Sequence, residues 1–234
     1  MKGGIHMSFN KDMEFLLSKF AHELRNPLTS CYSTVQFIEM KHPEVKDFKY
    51  WSNIGQDLDY MNALISELSS FSKSERLQVQ SFSSKAMLEQ VSLSFAASIA
   101  DSKVEYTSKL SSNLPLMTGD ELKLKEVFRN LLRNAYEASL PNQTIYLDAD
   151  ASQTELIVQI KDTGCGISEE HLSTIFDPFV THKKEGTGLG LAICQHIIQA
   201  HSGNIQVQSV LGKGTTFTVT IPLQPVSCEE QSET

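Results

Sequence analysis

The sequence predicts an α+β protein in which an N-terminal helical hairpin is followed by a mixed α/β sandwich. In the first 74 residues, apolar residues recur at alternating steps of three and four, the seam spacing of packed helices. Beyond about residue 80, helix-like and strand-like stretches alternate along the chain. The 234 residues, 40% of them hydrophobic, can bury the core of one mid-sized domain plus a smaller element.

The hairpin is predicted from two apolar seams. The first indicates a helix from about Phe9 to about Met40, Pro43 interrupts it, and the second indicates a helix ending near Ser74. The seam members are Leu17, Ala21, Leu24, Leu28, Cys31, Val35 and Ile38, then Trp51, Ile54, Leu58, Met61, Ile65 and Leu68. Because two such seams leave apolar surface uncovered, we expect a homodimer whose hairpins form a four-helix bundle. A hairpin folded onto the rest of its own chain is the alternative.

The second domain is predicted from alternating elements. We expect helices near 84–100, from a cap at Asp120 to Ser139, and over 188–200. Strands are expected at 104–107, at 144–149 beside 155–161, and in a hairpin of 204–209 with 215–221 that turns at 212–214. The resulting division takes 1–7 as a cloning remnant, 8–76 as the hairpin, 77–225 as the second domain and 226–234 as a polar tail.

Charge and cysteine content limit the classes of function. A net charge of −8 argues against a broad nucleic-acid surface, because such surfaces are basic, so a phosphate ligand must meet local positive charge. Cys31, Cys165, Cys194 and Cys228 form no CxxC pair, which favours neither a zinc site nor a disulfide framework and fits a reducing cytosol. With no membrane-spanning stretch or signal peptide, we expect a cytoplasmic fragment without membrane contact, which is compatible with the cytoplasmic part of a membrane-bound protein.

The first candidate site lies on the first helix. His22 is adjacent to the seam residue Ala21, so its imidazole is expected to face outward as a nucleophile. Glu23 can accept a proton from one ring nitrogen and so prepare the other to attack phosphorus. Asn26, four residues after His22, lies on the same face and could orient a water. A His–Glu pair alone is more often an ordinary exposed pair, so this hypothesis depends on the rest of the chain.

Three stretches of the second domain suggest a nucleotide site. Asn130 and Asn134 lie one helical turn apart, and amide oxygens suit Mg²⁺. Asp162 ends a strand and precedes Gly164 and Gly166, which allow close approach of a flat ligand such as adenine. Exposed asparagines and a plain turn are the alternative interpretations of these two stretches taken alone.

A glycine-rich loop, residues 186–191, leads into a helix whose first amides offer an anion site. Its G-x-G-x-G spacing matches neither the dinucleotide fingerprint nor the Walker A pattern. Lys183 and Lys184 lie just before it and could supply the positive charge that the acidic chain otherwise lacks.

Taken together and in this order, these stretches resemble the HisKA class of sensor histidine kinases over roughly residues 9–223. Residues 22–27 look like the H box and 130–135 like the N box, while 162–166, 176–179 and 186–191 are similar to the G1, F and G2 boxes. Residues 212–215 match the last glycine motif, and the short segment 181–185 looks most like the lid of the nitrogen-regulation and sporulation kinases.

The resemblance implies that His22 accepts a phosphoryl group from ATP, that Glu23 is its base, and that Asn26 serves a reverse phosphatase activity. It implies a Bergerat-type ATP-binding sandwich in which Asn134, helped by Asn130, holds Mg²⁺ and Asp162 binds the adenine amino group. It also implies a response-regulator receiver domain as partner. The nucleotide site would comprise Asn130, Asn134, Asp162, Gly164, Gly166, Lys183, Lys184, Gly186, Thr187, Gly188, Leu189, Gly190 and Thr215.

One departure and two alternatives remain at this point. Glu137 stands where many members carry a lysine, which puts a direct phosphate contact there in doubt, and Lys183 or Lys184 could compensate. Another member of the same ATPase superfamily would lack the H-box hairpin, and a catalytically inactive scaffold or phosphotransferase of the same fold would not need Asn134, Asp162 and the G2 glycines. Whether a protomer phosphorylates itself or its partner depends on the handedness of the turn near His42, which the sequence leaves open.

Overall fold

The computed structural model describes residues 4–73, 77–181, 183 and 186–223, and in the two N-terminal helices it describes the side chains from 19 to 69. These residues divide into two compact units, the first of which ends at Lys73. Residues 1–3 of the expected cloning remnant and the whole expected tail, 226–234, lie outside the described residues.

The first unit is the predicted helical hairpin. Helix α1 (Gly4–Lys41) and helix α2 (Trp51–Lys73) are joined by a segment that contains a 3₁₀ helix (Pro43–Asp47). Helix α1 therefore begins five residues before the predicted Phe9, and the connection between the helices, residues 42–50, is longer than a tight turn. The Trp51 indole Nε1–H donates to Glu39 Oε1 at 3.0 Å, which joins the end of α1 to the start of α2.

The hairpin buries only some members of each predicted seam. Its core consists of Ala21, Leu28, Leu58 and Ile65, with Tyr32, Val35 and Leu68 packed against it. Ala21, Leu28 and Val35 recur every seven residues on α1, and Leu58 and Ile65 do so on α2, which places these five on the line where the two helices meet. Four other seam members stay open, since Leu24 is 48% exposed, Ile54 41% and Met61 43%, and Cys31 is also exposed. An apolar stripe thus runs along the outside of the hairpin.

The second unit is the predicted mixed α/β sandwich. Its elements are β1 (Gln80–Ser83), α3 (Ser84–Ser98), β2 (Glu105–Leu110), β3 (Leu116–Gly119), α4 (Glu121–Ala138), β4 (Thr144–Ala151), β5 (Glu155–Asp162), α5 (Glu169–Leu172), α6 (Gly190–Ala200), β6 (Asn204–Val210) and β7 (Gly214–Pro222). The main sheet has the order β2-β4-β5-β7-β6, with β2 and β4 parallel and the other pairs antiparallel. Strands β1 and β3 form a separate antiparallel pair that the sequence analysis missed, as it missed α5.

One face of the main sheet is covered by helices. Along β4 and β5 every second residue is buried, so the side chains that point inward form one apolar surface. Helices α3, α4 and α6 pack on that side, and α4 contacts β4, β5 and β7. The fully buried side chains include Met87, Leu88, Leu124, Phe128, Leu131, Leu132, Ile145, Leu147, Leu156 and Ile160. This two-layer packing is what fixes the position of α4.

The N-terminus of α4 is held by the predicted cap. Asp120 is 5% exposed, and its Oδ1 accepts from the Lys123 N–H at 3.1 Å while its Oδ2 accepts from the Gln78 N–H at 2.8 Å. The Asp120 N–H donates to His201 Nε2 at 2.9 Å, so the His201 proton lies on Nδ1 and is donated to the Ile197 carbonyl. Burial lowers the pKa of His201, in agreement with this neutral tautomer.

No helix in the part of the chain that the structure describes combines the length and the apolar composition that a bilayer crossing requires.

The packing of α4 predicts a contrast between two leucines of one helix. Leu131 is fully buried and Leu122 is 70% exposed. Leu131→Ala should lower the free energy of unfolding by about 2–5 kcal/mol through lost burial and a cavity, whereas Leu122→Ala should change it by less than about 0.5 kcal/mol. Urea unfolding followed by far-UV circular dichroism measures both. Equal losses in the two variants would contradict this packing.

Candidate functional site

The candidate nucleophile lies on the outward side of α1. Ala21 is 1% exposed in the hairpin core, while His22, Glu23 and Asn26 are exposed. Pro27 sits inside the helix and has no N–H, so the Glu23 carbonyl lacks its usual hydrogen bond from four residues later. The helix backbone is therefore less constrained beside His22, and the imidazole is open to a reaction partner.

A buried carboxylate marks the end of β5. Asp162 is 3% exposed, and its Oδ1 accepts from the Gly164 N–H at 2.9 Å and from the Thr215 N–H at 3.2 Å. Burial raises the pKa of Asp162, and these two backbone hydrogen bonds oppose the rise without cancelling it. In the ligand-free chain, hydrogen bonds thus offset only part of the cost of burying the Asp162 charge. This is expected of a group that meets a hydrogen-bond donor of a ligand.

The loop after Asp162 lies against the end of α4. A β-carbon on Gly164 would lie 2.3 Å from the Ala138 carbonyl oxygen, so only glycine fits there. The next residue, Cys165, donates its N–H to that same carbonyl at 3.0 Å. Gly166 packs closely on the Val210 carbonyl at the end of β6. The loop is therefore held between the C-terminus of α4 and the β6–β7 turn.

Ser209 joins this loop to strand β7, and the sequence analysis did not single it out. Its hydroxyl accepts from the Ile167 N–H at 2.8 Å, donates to the Gly214 carbonyl at 2.9 Å and contacts Thr215 Oγ1 at 2.9 Å. Thr215 is 4% exposed. The signal was present in the sequence, because the alternation of β6 puts Ser209 on the inward face after Ile205 and Val207.

The two asparagines of α4 face different neighbours. Asn134 Oδ1 accepts from Lys183 Nζ at 2.8 Å, and the same ammonium pairs with Glu137. Asn130 lies beside the start of α6, since a β-carbon on Gly190 would be 3.9 Å from its Oδ1. Lys183 therefore forms an ion pair with Glu137 in the ligand-free chain, and its predicted contact with phosphate stays a prediction. Lys184 lies outside the described residues.

The G2 loop runs between the F box and α4. Gly188 has φ +71°, and a β-carbon there would lie 2.5 Å from the Phe179 carbonyl carbon, so this position requires glycine. The Gly188 carbonyl accepts from the Phe179 N–H at 3.0 Å. Gly186 and Thr187 precede it, and Leu189 is buried with its N–H donated to Thr187 Oγ1 at 3.1 Å. Gly190 then begins α6.

The predicted residues of the second unit therefore gather into two neighbouring groups. The first group is the buried carboxylate of Asp162 with Gly164, Gly166 and Thr215 around it. This group suits a flat ligand with a hydrogen-bond donor. The second group lies along α4 and at the start of α6. Lys183 pairs with Asn134, Asn130 lies beside Gly190, and the residues from Gly186 to Gly190 lead into α6, where backbone amides and cations suit an anion. His22, Glu23 and Asn26 belong to the first unit.

Two family models match the chain. Residues 12–77 match the His Kinase A (phospho-acceptor) domain, and residues 119–225 match the histidine kinase-, DNA gyrase B- and HSP90-like ATPase. Among curated proteins, the signal transduction histidine-protein kinase AtoS of Escherichia coli is 36% identical over 90% of this chain, and sporulation kinase C of Bacillus subtilis is 32% identical over 89%. The chain spans 35% of the length of the first and 49% of the second.

Solved structures agree with these matches. The fold of full-length ShkA in complex with AMPPNP superposes with a TM-score of 0.76 over 90% of this chain and 46% of that one, at 24% identity. Histidine kinase ThkA in complex with the response regulator protein TrrA superposes with a TM-score of 0.64 over 90% of this chain and 61% of that one, at 27% identity.

The burial of Asp162 predicts a pH-dependent effect of its replacement. Because its pKa is raised in the folded chain, the free energy of unfolding falls as pH rises from about 4 through that raised value. Asp162→Asn keeps an acceptor for Gly164 and Thr215 but cannot ionise. Its melting temperature should exceed that of the wild type at pH 7, and the two should converge toward pH 4.

Asp162→Ala is the control, since it removes the acceptor and should be less stable than Asp162→Asn at every pH. Thermal unfolding of the wild type and both variants across the pH series measures these differences in melting temperature. A wild type more stable than Asp162→Asn at pH 7 would contradict the cost assigned to this buried carboxylate.

Proposed function

Because the chain belongs to the HisKA-type sensor histidine kinases, we propose that it transfers the γ-phosphoryl group of ATP to His22 and then to an aspartate of a response-regulator receiver domain. The observation that carries the proposal is the exposed imidazole of His22 on a helical unit that precedes an ATPase-type domain in one chain. The match of residues 12–77 favours this function over superfamily members that lack a hairpin.

The nucleotide is assigned to the second unit. The free acceptor capacity of the buried Asp162 suits the adenine amino group, and the start of α6 together with Lys183 suits the phosphates. The family description as an ATPase supports ATP as the ligand, and ShkA was solved in complex with AMPPNP. Gly164 and Gly166 let the loop after Asp162 pack on Ala138 and Val210, which holds this loop beside the carboxylate that would meet the base. Thr187 and the glycines from 186 to 190 would enclose the phosphate end.

A magnesium ion fits the oxygen atoms of α4. Asn134 Oδ1 and the Glu137 carboxylate already converge on one cation, the Lys183 ammonium, so this donor set suits a small hard cation. Asn134 would hold the ion with help from Asn130. When bound, Mg²⁺ neutralises charge on the phosphates during transfer.

The transfer step uses the chemistry of the first unit. One imidazole nitrogen of His22 attacks the γ-phosphorus in line, a nitrogen–phosphorus bond forms, and the bond to the bridging β–γ oxygen breaks, so that ADP leaves. Glu23 accepts the proton from the other ring nitrogen, which raises the electron density of the attacking nitrogen. The phosphoryl group then passes to the regulator aspartate and restores neutral His22.

Asn26 is assigned the reverse activity. It is exposed one helical turn from His22, where its amide can orient a water toward the phosphorylated aspartate of a bound regulator. The structure of ThkA with the response regulator TrrA supports a receiver domain as the partner. This arrangement supports the proposal of phosphatase activity toward the regulator.

A homodimer is assigned to the hairpin. The apolar stripe of Leu24, Cys31, Ile54 and Met61 lies outside the hairpin core and would be covered in a four-helix bundle of two copies. The first unit by itself thus exposes the apolar stripe that a second copy would cover.

The kinase assignment predicts where label from ATP is found. Incubation with Mg²⁺ and γ-labelled ATP should give acid-labile, base-stable label that is absent in His22→Ala. His42→Ala is the matched control, because His42 is an exposed histidine of the same unit and should not change the label. Label that survives in His22→Ala would refute His22 as acceptor. No label in a wild type that binds ADP would favour a phosphatase-biased enzyme or a scaffold.

The dimer assignment predicts a charge-sensitive position. Met61→Asp puts a carboxylate into the stripe and should shift the protein to monomers by weakening the dimer at least tenfold, since both copies lose apolar contact and must desolvate a charge. Asn62→Asp is the control, because Asn62 is exposed beside the stripe. Size-exclusion chromatography with light scattering measures the change. If the Met61→Asp variant stayed dimeric, the stripe would not be the dimer interface.

A further inference from the structure

Ser209 is the centre of a hydrogen-bond cluster between the G1 loop and β7. Three groups lie within hydrogen-bond distance of its Oγ, namely the Ile167 N–H at 2.8 Å, the Gly214 carbonyl at 2.9 Å and Thr215 Oγ1 at 2.9 Å. A serine hydroxyl has one hydrogen to donate and two lone pairs to accept with. Three partners therefore use its full capacity.

The chemistry of the partners fixes the direction of every bond. The Gly214 carbonyl can only accept, so it takes the Ser209 hydrogen. The Ile167 N–H can only donate, so it takes one lone pair of Ser209 Oγ. The contact with Thr215 must then run from the Thr215 hydroxyl to Ser209, because Ser209 has no second hydrogen to give. The Thr215 hydrogen is thereby turned toward β6.

This direction leaves Thr215 Oγ1 with free lone pairs, on a residue whose backbone adjoins Asp162. The Thr215 N–H donates to Asp162 Oδ1, which places the residue next to the buried carboxylate. Asp162 Oδ1 accepts two backbone N–H groups, and Oδ2 is left to accept from a ligand. For a base that binds at Asp162 Oδ2, the Thr215 hydroxyl would be the adjacent second acceptor. An amino group satisfies acceptors, whereas a carbonyl oxygen in the same position leaves them unpaired.

We propose that Ser209 is a specificity-determining positioning residue, which holds the Thr215 hydroxyl as its donor and so makes the pocket select a 6-aminopurine over a 6-oxopurine nucleotide. This inference rests on the proposed nucleotide function. Without Ser209, the Thr215 hydroxyl can rotate and donate to a 6-oxo group. Ser209 would act through Thr215 and need not touch the ligand.

The test compares ADP with inosine diphosphate, which differ at the 6-position of the base. Dissociation constants of both, with Mg²⁺, are measured by titration calorimetry on the full chain. Relative to wild type, Ser209→Ala should lower the preference for ADP about fivefold, the order expected for one hydrogen bond. Ser209→Thr keeps a hydroxyl and should retain most of the preference. Ser84→Ala is the control, because it removes another hydroxyl of this unit that is buried and donates to the Pro115 carbonyl.

A double-mutant cycle with Thr215→Val separates this role from bracing of the loop. Thr215→Val should lower the preference on its own, and adding Ser209→Ala should lower it no further. Equal weakening of both nucleotides in Ser209→Ala, with the preference unchanged, would overturn the proposal and leave Ser209 as a brace. Additive losses in the double variant would also overturn it. A wild type that binds neither nucleotide would instead refute the nucleotide site itself.

Discussion

The burial of one face of α4 is the constraint on which the second unit depends. Leu124, Phe128 and Leu131 are fully buried against the sheet, and each such side chain contributes about 1.5–3 kcal/mol through removal from water. A turn of α4 by one residue, about 100°, would replace these side chains in the core with polar ones. The helix can therefore sit in one rotational setting only, and this setting holds Asn130 and Asn134 at the edge of the apolar face.

The ends of α4 extend this constraint to the rest of the site. At its N-terminus, Asp120 caps the helix, holds Gln78 through its carboxylate and donates its N–H to His201 at the end of α6. At its C-terminus, the Ala138 carbonyl accepts from Cys165 in the loop after Asp162. Packing that stabilises the fold thus also sets the distances among the polar groups proposed to hold ATP.

The fold was largely predictable because long periodic segments carry it. The seams of α1 and α2, the Asp120 cap and the alternation of β4, β5 and β7 were all readable from spacing. Strands β1 and β3 have four residues each and pair only with each other, so their periodicity is too short to detect. Which members of each hairpin seam face the other helix also depends on packing, since all members follow the same alternating spacing.

The candidate site was predictable in its residues and less so in its contacts. The structure brings Asp162, the G1 glycines and Thr215 together, and it brings Asn134 and Lys183 together, while their roles stay proposals. Ser209 was missed because only its inward position in β6 could be read from the alternation, while its three hydrogen-bond partners could not. The pairing of Lys183 with Glu137, 46 residues earlier, could not be derived from spacing either.

The position of Glu137 raises the question of how an acidic chain can attract a polyphosphate. Glu137 accepts from Lys183 on one side and lies 3.7 Å from Arg133 Nε on the other, so one carboxylate is shared by two cations. Arg133 also borders Gly190, where the first amides of α6 add partial positive charge. Counted over Lys183, Arg133 and Glu137, the local balance therefore stays positive although the chain carries −8, which supports the proposal that a polyphosphate binds at this edge of α4. Glu137 therefore limits the positive charge at this site without reversing it.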